Sequence, residues 1–531
     1  MSVQKTSQDY IDEMISMSKD TNEIVTEKSE VTDFFTNCNI FVTGGSGFIG
    51  KLLLEKLLRC FPDMGKLYMM LRPKKGKSPE ERFKEHFDDP LYERLKQEQP
   101  DFASKIFIIE GDTGKFDLGL SSDDRELICK NTHIIFHGAA TVRFDEKLRQ
   151  AVNINVRGLQ LMLQLAKEMK NLKAFVHIST AFSHCISKDI KEKFYPSPME
   201  VDKLLSLVDL LDDQQLEHLT PLFLGKWPNS YAFSKAMAEE AAKRYSTGIP
   251  ICVVRPSIVV STWKEPIAGW TNNLYGATGV VVGSGIGLLR TLHCVPNNVA
   301  EIIPADIVIN NVVVAAWDIA QQWNEKLIIE EEPPVFNCIS SNLKPITWGR
   351  FMDLNKSYGF ELPSKKTIWY NVMILNKNLW LHNFCILFLH FLPAAIVDCI
   401  LYLMGKKPML WTAYKKIHKF MGVISYFSSQ EWNFHSDANQ ALYKKLNSVD
   451  RKKFDFNLNN LDWEDYICYH VRGIRVFIFK DTMESIKEGQ IYYRRLKIAH
   501  YTIVTAAFCL LMWLMLSFIR ILFLWCFSRF I

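Results

Sequence analysis

Ile40-Phe41-Val42-Thr43-Gly44-Gly45-Ser46-Gly47-Phe48-Ile49-Gly50 is a short apolar strand running into a glycine-rich turn, and from Lys51 a helical pattern takes over. A turn of this composition between a strand and a helix is a seat for a dinucleotide pyrophosphate. Gly44 permits the tight turn, Gly47 lets the backbone approach the phosphates, and Gly50 lets helix and strand pack closely. The helix N-terminus adds free N–H groups and a partial positive charge. Thr43, Gly44, Gly47, Phe48, Ile49 and Gly50 are therefore the expected cofactor contacts.

Working outward, short apolar runs alternate with amphipathic stretches from Asn37 to about Asn310. The strand candidates are Ile40–Thr43, Leu67–Leu71, Ile106–Glu110, His133–His137, Phe175–Ser179 and Ile251–Arg255. Helical patterns such as Lys51–Cys60 and Glu146–Met169 lie between them. Buried runs separated by helices predict an α/β fold, a doubly wound parallel sheet of Rossmann type, over 37–310. Residues 1–36 are polar and acidic and are expected to form a mobile arm. After Asn310 the sequence becomes aromatic, basic and helix-rich, which predicts a helical C-terminal domain over 311–480. Inside it, Phe384–Met404 is strongly apolar yet carries His390, Pro393 and Asp398. A buried or membrane-lying helix pair is expected there, because a charge at mid-bilayer is costly.

Tyr501–Ile519 contains no charge, and apolar sequence resumes after Arg520 through Phe527. A run of that length suits one transmembrane helix, placed at 501–527. Arg494, Arg495 and Lys497 precede it, so the positive-inside tendency keeps the catalytic part in the cytosol.

Composition narrows the function classes. The net charge of +5 is too small, and too evenly spread, to indicate a nucleic-acid partner. The 12 cysteines show no paired spacing, and the polar N-terminus has no signal-peptide core, so free thiols are expected. No metal motif occurs; His133 and His137 read as buried strand histidines.

The chemistry lies in Tyr231-Ala232-Phe233-Ser234-Lys235. Residues four apart in a helix share a face, so hydroxyl and ammonium project together. A tyrosine hydroxyl, with a reference pKa of about 10, needs help to move a proton at neutral pH. A neighbouring ammonium can lower that pKa and also hold the nicotinamide ribose. A hydroxyl at a strand end would complete an oxyanion clamp, and both Ser179 and Thr180 stand in that place. A Tyr-x-x-x-Lys spacing alone arises readily on an exposed helix. Following a nucleotide turn and a strand-end Ser-Thr, it reads as catalytic.

Cofactor choice follows from the second strand. NAD-selective sites usually place an acidic residue at its end to hold the ribose 2′-hydroxyl. Here Leu67–Leu71 is followed by Arg72-Pro73-Lys74-Lys75, a cationic cluster suited to a 2′-phosphate, so NADPH is expected with Arg72 as its clamp.

Together these residues resemble the extended short-chain dehydrogenase/reductases, and more narrowly the alcohol-forming fatty acyl-CoA reductases of the animal, insect-like type. The likeness runs from about Asn37 to Lys480. It is carried by Thr43–Gly50, Gly111-Asp112, His137-Gly138-Ala139-Ala140, Asn155-Val156-Arg157-Gly158 and Phe175–Phe182. Tyr231 through Glu239, Val254-Arg255-Pro256-Ser257 and Ile303-Pro304-Ala305-Asp306 extend it. Similar proteins often read Gly-Trp-x-Asp-Asn where this chain has Gly269-Trp270-Thr271-Asn272-Asn273. The resemblance implies a catalytic Tyr231/Lys235 pair with Ser179 or Thr180, and Asp112 near the adenine. It also implies reduction of a long-chain acyl-CoA to a primary alcohol, with release of CoA and a bound aldehyde between two reductions. The expected setting is a lipid membrane, the endoplasmic reticulum first, with peroxisome or lipid droplet as alternatives and a homodimer left open. Two rival readings share the nucleotide turn: a membrane-bound steroid or sterol dehydrogenase, and a non-catalytic NADPH-binding scaffold. The helical unit after Asn310 speaks against the first, and retention of Tyr231, Lys235 and the two hydroxyls against the second.

Overall fold

Seven parallel strands form one sheet in the order Val335–Cys338, Ile251–Pro256, Ala174–Ile178, Ile134–His137, Ile40–Thr43, Leu67–Leu71, Ile106–Glu110. The computed structural model describes residues 7–18, 28–73, 76–325 and 332–527. Every residue of Ile40–Thr43, Leu67–Leu71 and Ile134–His137 is buried, as expected of parallel strands covered on both faces. Alternation divides the two cores. Ile40 and Val42 pack on the side of Phe48–Cys60 and Ala305–Asn324. Phe41 packs on the other side, with Leu159, Met162 and Ala238.

Ile40–Thr43 pairs with Leu67–Leu71 on one side and Ile134–His137 on the other. The strand order reverses there, which opens a crevice at the carboxyl ends of the two central strands. The glycine turn after Thr43 and the Gly138-Ala139 turn after His137 face each other across that crevice. A Cβ at Gly44, whose φ is +75°, would lie 2.6 Å from the Ala139 nitrogen.

Two features differ from those expected, the end of the sheet unit and the N-terminal arm. Ala305–Asn324 crosses residue 310 as one helix, buried from Ala305 to Ala320, and Val335–Cys338 adds the seventh strand beside Ile251–Pro256. The sheet unit therefore extends past 310; a four-residue strand without alternation leaves little signal in the sequence. The described parts of the N-terminal segment are docked, not free. Helix Glu30–Phe35 is capped by the Ser29 side chain, and Phe35 stacks on Phe61 with centroids 4.1 Å apart. Helix Ser7–Ser18 buries Tyr10, Ile11, Met14 and Ile15, a helical spacing hidden among polar neighbours.

The C-terminal part is helical. Leu379–Leu403 and Met483–Cys526 are each long and apolar enough to cross a membrane. Only 17% of the apolar window of the first is buried, so Phe384–Met404 is not a core helix. It pairs with Leu410–Ser429, which returns to the sheet unit. All twelve cysteines are unpaired thiols.

Candidate active site

One cavity of about 1080 Å³ runs from the glycine turn past Thr180 and Tyr231 to an apolar end lined by Leu292, Phe351, Met352, Ile424 and Phe427. Thr43, Gly44, Gly47, Phe48, Ile49 and Gly50 all border its first part. Helix Phe48–Cys60 begins there with Gly47 as N-cap and no side-chain cap bond, leaving its first N–H groups for a ligand. A Cβ at Gly50 would lie 2.1 Å from the Gly44 carbonyl oxygen, so only glycine allows this turn to meet its helix.

Arg72 and Arg82 flank the far side of the turn. Arg82 Nη2 donates to Ser46 Oγ at 3.2 Å, and its Nη1 donates to the Arg72 carbonyl. Burial, and then the Arg72 charge, pull the Arg82 pKa below its ordinary value. Two guanidiniums beside a serine hydroxyl fit a phosphate, and no carboxylate among the described residues of the turn competes for a ribose hydroxyl. Arg82 was not anticipated; it comes from the next helix, thirty-six residues beyond Ser46 in the chain, with no local signature. Lys74 and Lys75 lie outside the described residues. Asp112 sits on the cavity wall, where Oδ1 accepts from the Gly114 N–H at 3.0 Å and Oδ2 from Arg72 at 3.3 Å.

Tyr231 and Lys235 project from one face of helix Ser230–Tyr245, which Asn229 caps by accepting from the Ala232 N–H at 2.8 Å. Burial pushes the Tyr231 hydroxyl up to about 12, opposed by a hydrogen bond with Thr180. The expected lowering of Tyr231 by its lysine is therefore not present. Lys235 Nζ turns instead to the Ile178 carbonyl, to which it donates at 2.8 Å. Burial pushes Lys235 down to about 8, against the opposing charge of Glu239.

The two candidate hydroxyls part company. Ser179 Oγ donates to Glu239 Oε1 at 2.5 Å, away from Tyr231. Thr180 is the one beside Tyr231 on the cavity wall; its Oγ1 reaches the Pro256 carbonyl at 3.5 Å and accepts from the Phe182 N–H at 3.3 Å. Glu239 is the centre of a buried cluster that the sequence reading did not single out. It also accepts from Ser183 Oγ at 2.9 Å and from Arg255 Nε and Nη2 at 2.9 and 2.6 Å, and bonds His184 Nε2 at 3.0 Å. Burial opposes its ionisation, but the Arg255 guanidinium and the His184 bond outweigh burial and hold the carboxyl below the usual range. The i+4 step from Lys235 to Glu239 was visible on the helix face; the contact with Arg255, on a neighbouring strand, was not.

His137 is the buried strand histidine expected, with Nδ1 bonded to Thr43 Oγ1 at 2.9 Å; His133 is not, since it lies half-buried one residue before strand Ile134–His137, where its Nδ1 accepts from the Asn39 N–H at 3.0 Å. Burial and then Lys235 push His137 down to about 3, which keeps it neutral. Among the described residues no cluster is placed to hold a metal.

Comparison with known proteins decides the family. Residues 42–312 match a family model described as Male sterility protein, and residues 389–481 match a second model of the same description. Fatty acyl-CoA reductase wat of Drosophila melanogaster is 38% identical over 497 residues, 94% of this chain and 95% of its own length. The chain belongs to the fatty acyl-CoA reductase family. Fatty acyl-CoA reductase 2 of Bos taurus is 35% identical, over 92% of this chain and 93% of its own. Fatty acyl-CoA reductase 1 of Homo sapiens is 34% identical, over 89% and 90%. This reductase is thus an oxidoreductase with a nicotinamide dinucleotide-binding domain. Its fold is shared with the terminal R domain from the myxalamid biosynthetic pathway, at TM-score 0.53 and 16% identity over 88% of this chain and 98% of that one. The R domain of a nonribosomal peptide synthetase from Mycobacterium tuberculosis matches with TM-score 0.53 and 16% identity, over 89% and 97%.

Proposed function

We propose that this reductase converts a long-chain acyl-CoA to a primary alcohol using NADPH, with Tyr231, Thr180 and Lys235 as its catalytic side chains. The observation that carries the reading is the position of the Tyr231–Thr180 pair. It stands midway along one cavity, between a nucleotide turn and an apolar pocket. Arg72, Arg82 and Ser46 support a 2′-phosphate on the cofactor.

The dinucleotide, when bound, would supply hydride to the thioester carbonyl carbon; the C–S bond then breaks with CoA leaving as the thiolate, and a second dinucleotide would supply hydride to the aldehyde carbon. Tyr231 and Thr180 donate hydrogen bonds to the carbonyl oxygen as it gains charge, where preorganised donors act most strongly. A proton from Tyr231 completes the alcohol: burial keeps that hydroxyl protonated, and the alkoxide formed on the substrate is a stronger base than the phenolate left behind. Lys235, fixed by the Ile178 carbonyl, holds its ammonium at the cavity wall, where it can meet the cofactor's ribose. Ser179 is a positioning residue: bound to Glu239, it holds the strand end from which Thr180 projects. Phe144 and Phe427, whose centroids lie 5.8 Å apart, continue the wall from Tyr231 to the apolar end and exclude water beside the reacting carbon.

The apolar helix end at 501–527 makes this a single-pass membrane enzyme in our reading, with Arg494, Arg495 and Lys497 on the cytosolic side and the endoplasmic reticulum as the first membrane to examine. The sterol dehydrogenase and scaffold alternatives have no observation of their own in their favour. The direct test is incubation of the purified full-length protein with NADPH and a panel of acyl-CoAs, with product identification. Primary alcohol and free CoA are expected, and Tyr231→Phe should remove both. Alcohol formation undiminished in Tyr231→Phe would take Tyr231 out of the mechanism.

A further inference from the structure

Helix Leu379–Leu403 is built inside out. Its buried face carries His382, His390 and Asp398, whereas Trp380, Phe384, Phe388, Leu392, Ile396 and Ile400 stand exposed. Trp380 is 85% exposed. The inward polar groups are all used. His390 Nε2 accepts from the Arg290 N–H at 2.9 Å while its Nδ1 bonds His418 at 3.0 Å, and His382 bonds Thr291 Oγ1 at 3.0 Å. Asp398 accepts from the N–H groups of Met409, Leu410 and Trp411 at 2.8–3.0 Å, which starts the return helix Leu410–Ser429. An apolar face of this length turned outward along a whole helix is a docking surface.

The charges beside it say what covers it. The turn and the return helix expose Lys406, Lys407, Lys415 and Lys416, whereas Asp398 is spent on the cap and Lys419 pairs with Asp145 at 3.7 Å. An apolar face rimmed by lysines matches an anionic lipid surface. The connections also forbid a full crossing. The chain enters through strand Ile374–Asn376, paired with Thr291–His293, and returns through Leu410–Ser429 to the cavity wall. A crossing would carry the lysine-bearing turn through hydrocarbon, at about 2.5–3.5 kcal/mol for each charge on the lowest scale.

Further contacts tie this hairpin to its surroundings. Arg290 donates to the Leu389 carbonyl at 2.9 Å and lies 5.8 Å from the centroid of Trp369, whose Nε1 donates to His500 on the C-terminal helix at 3.1 Å. The return helix then brings Ile424 and Phe427 to the apolar end of the cavity.

We propose that the hairpin at 379–429 is a second membrane seat, lying in one anionic leaflet without crossing it and holding the acyl end of the cavity at the bilayer. The role in acyl delivery rests on the acyl-CoA reading; the lipid contact does not.

The test uses full-length protein in vesicles of radiolabelled phosphatidylcholine, with or without phosphatidylserine, carrying a benzophenone side chain at Phe388 or at Phe116, another exposed phenylalanine. Lipid adduct is expected at position 388 in at least about tenfold excess over 116, and more of it with phosphatidylserine. Equal adduct at the two positions, or an adduct to protein alone, overturns the seat. Adduct that ignores phosphatidylserine overturns the anionic preference. In parallel, Phe384→Glu/Phe388→Glu should lower kcat/KM about tenfold for a long acyl-CoA presented in vesicles and leave a soluble short acyl-CoA unaffected. Equal loss on both substrates overturns the delivery role. Absence of reduction by the unaltered protein on either substrate would instead refute the catalytic reading and leave the lipid adduct to be judged by itself.

Discussion

Glu239→Gln should move the alkaline limb of the pH–rate profile to lower pH. Lys235 is pushed down to about 8 by burial even with the Glu239 carboxylate one helical turn away supporting its ammonium. Removing that negative charge leaves burial unopposed. For charges about 6 Å apart and an effective dielectric of about 20, Coulomb's law gives about 2.8 kcal/mol, or roughly two pK units as an upper bound. The ammonium is present below its pKa and lost above it. Activity that needs it should therefore fall as pH rises through about 8 in the natural protein. In the variant the fall should come about one to two units lower, within the limit Coulomb's law sets. The substitution also strands the buried Arg255 guanidinium, and breaking a buried pair on one side costs about 3–5 kcal/mol. Glu239→Gln/Arg255→Met removes both charges and should recover much of that stability while keeping part of the shift, because loss of the more distant Arg255 charge offsets only some of the loss of Glu239. The assay is kcat/KM for NADPH-dependent reduction between about pH 6 and 10, on both sides of the Lys235 value, with thermal unfolding of each variant alongside. A folded double variant whose alkaline limb coincides with that of the natural protein would refute the argument.

Three further outcomes are expected. Thr180→Val should lower kcat about a hundredfold or more, because it removes a hydroxyl at the developing oxyanion, while Ser179→Ala should act mainly on stability; single-turnover rates with both variants separate the two. Arg72→Ala and Arg82→Ala should each raise KM for NADPH, by about 1.5–3 kcal/mol in binding, with NADH far less affected; an unchanged NADPH/NADH ratio would place the phosphate elsewhere. Truncation before Tyr501 should weaken resistance to alkaline-carbonate extraction, leaving only the hold of the 379–429 hairpin, yet spare reduction of soluble short-chain acyl-CoAs, since the exposed end of the C-terminal helix makes no part of the cavity wall.

What was legible in the sequence was what local chemistry dictates. Ile40–Thr43 and Leu67–Leu71 were readable residue for residue, because a strand buried on both faces must be an unbroken apolar run, and the edge strand Ile106–Glu110, exposed at Phe107 and Glu110, was still readable from its short β-branched run. The turn at Gly44–Gly50 was readable because no residue with a Cβ fits where it meets its helix. The Tyr231–Lys235 spacing was readable because helical geometry puts them on one face. Contacts between distant segments were not readable. Ser179 and Thr180 are adjacent in sequence and equivalent as chemistry, and only the Glu239–Arg255 pair, drawn from a helix and a neighbouring strand, takes one hydroxyl and leaves the other to Tyr231. Arg82 joins Ser46 through packing of separate elements, and Tyr10 and Phe35 show their apolar face only once a partner surface exists. The helix at 379–403 shows the same division. Its sequence displays three polar residues in an apolar run, but only tertiary hydrogen bonds to Thr291, Arg290 and the return helix decide that those three point inward and the apolar face outward.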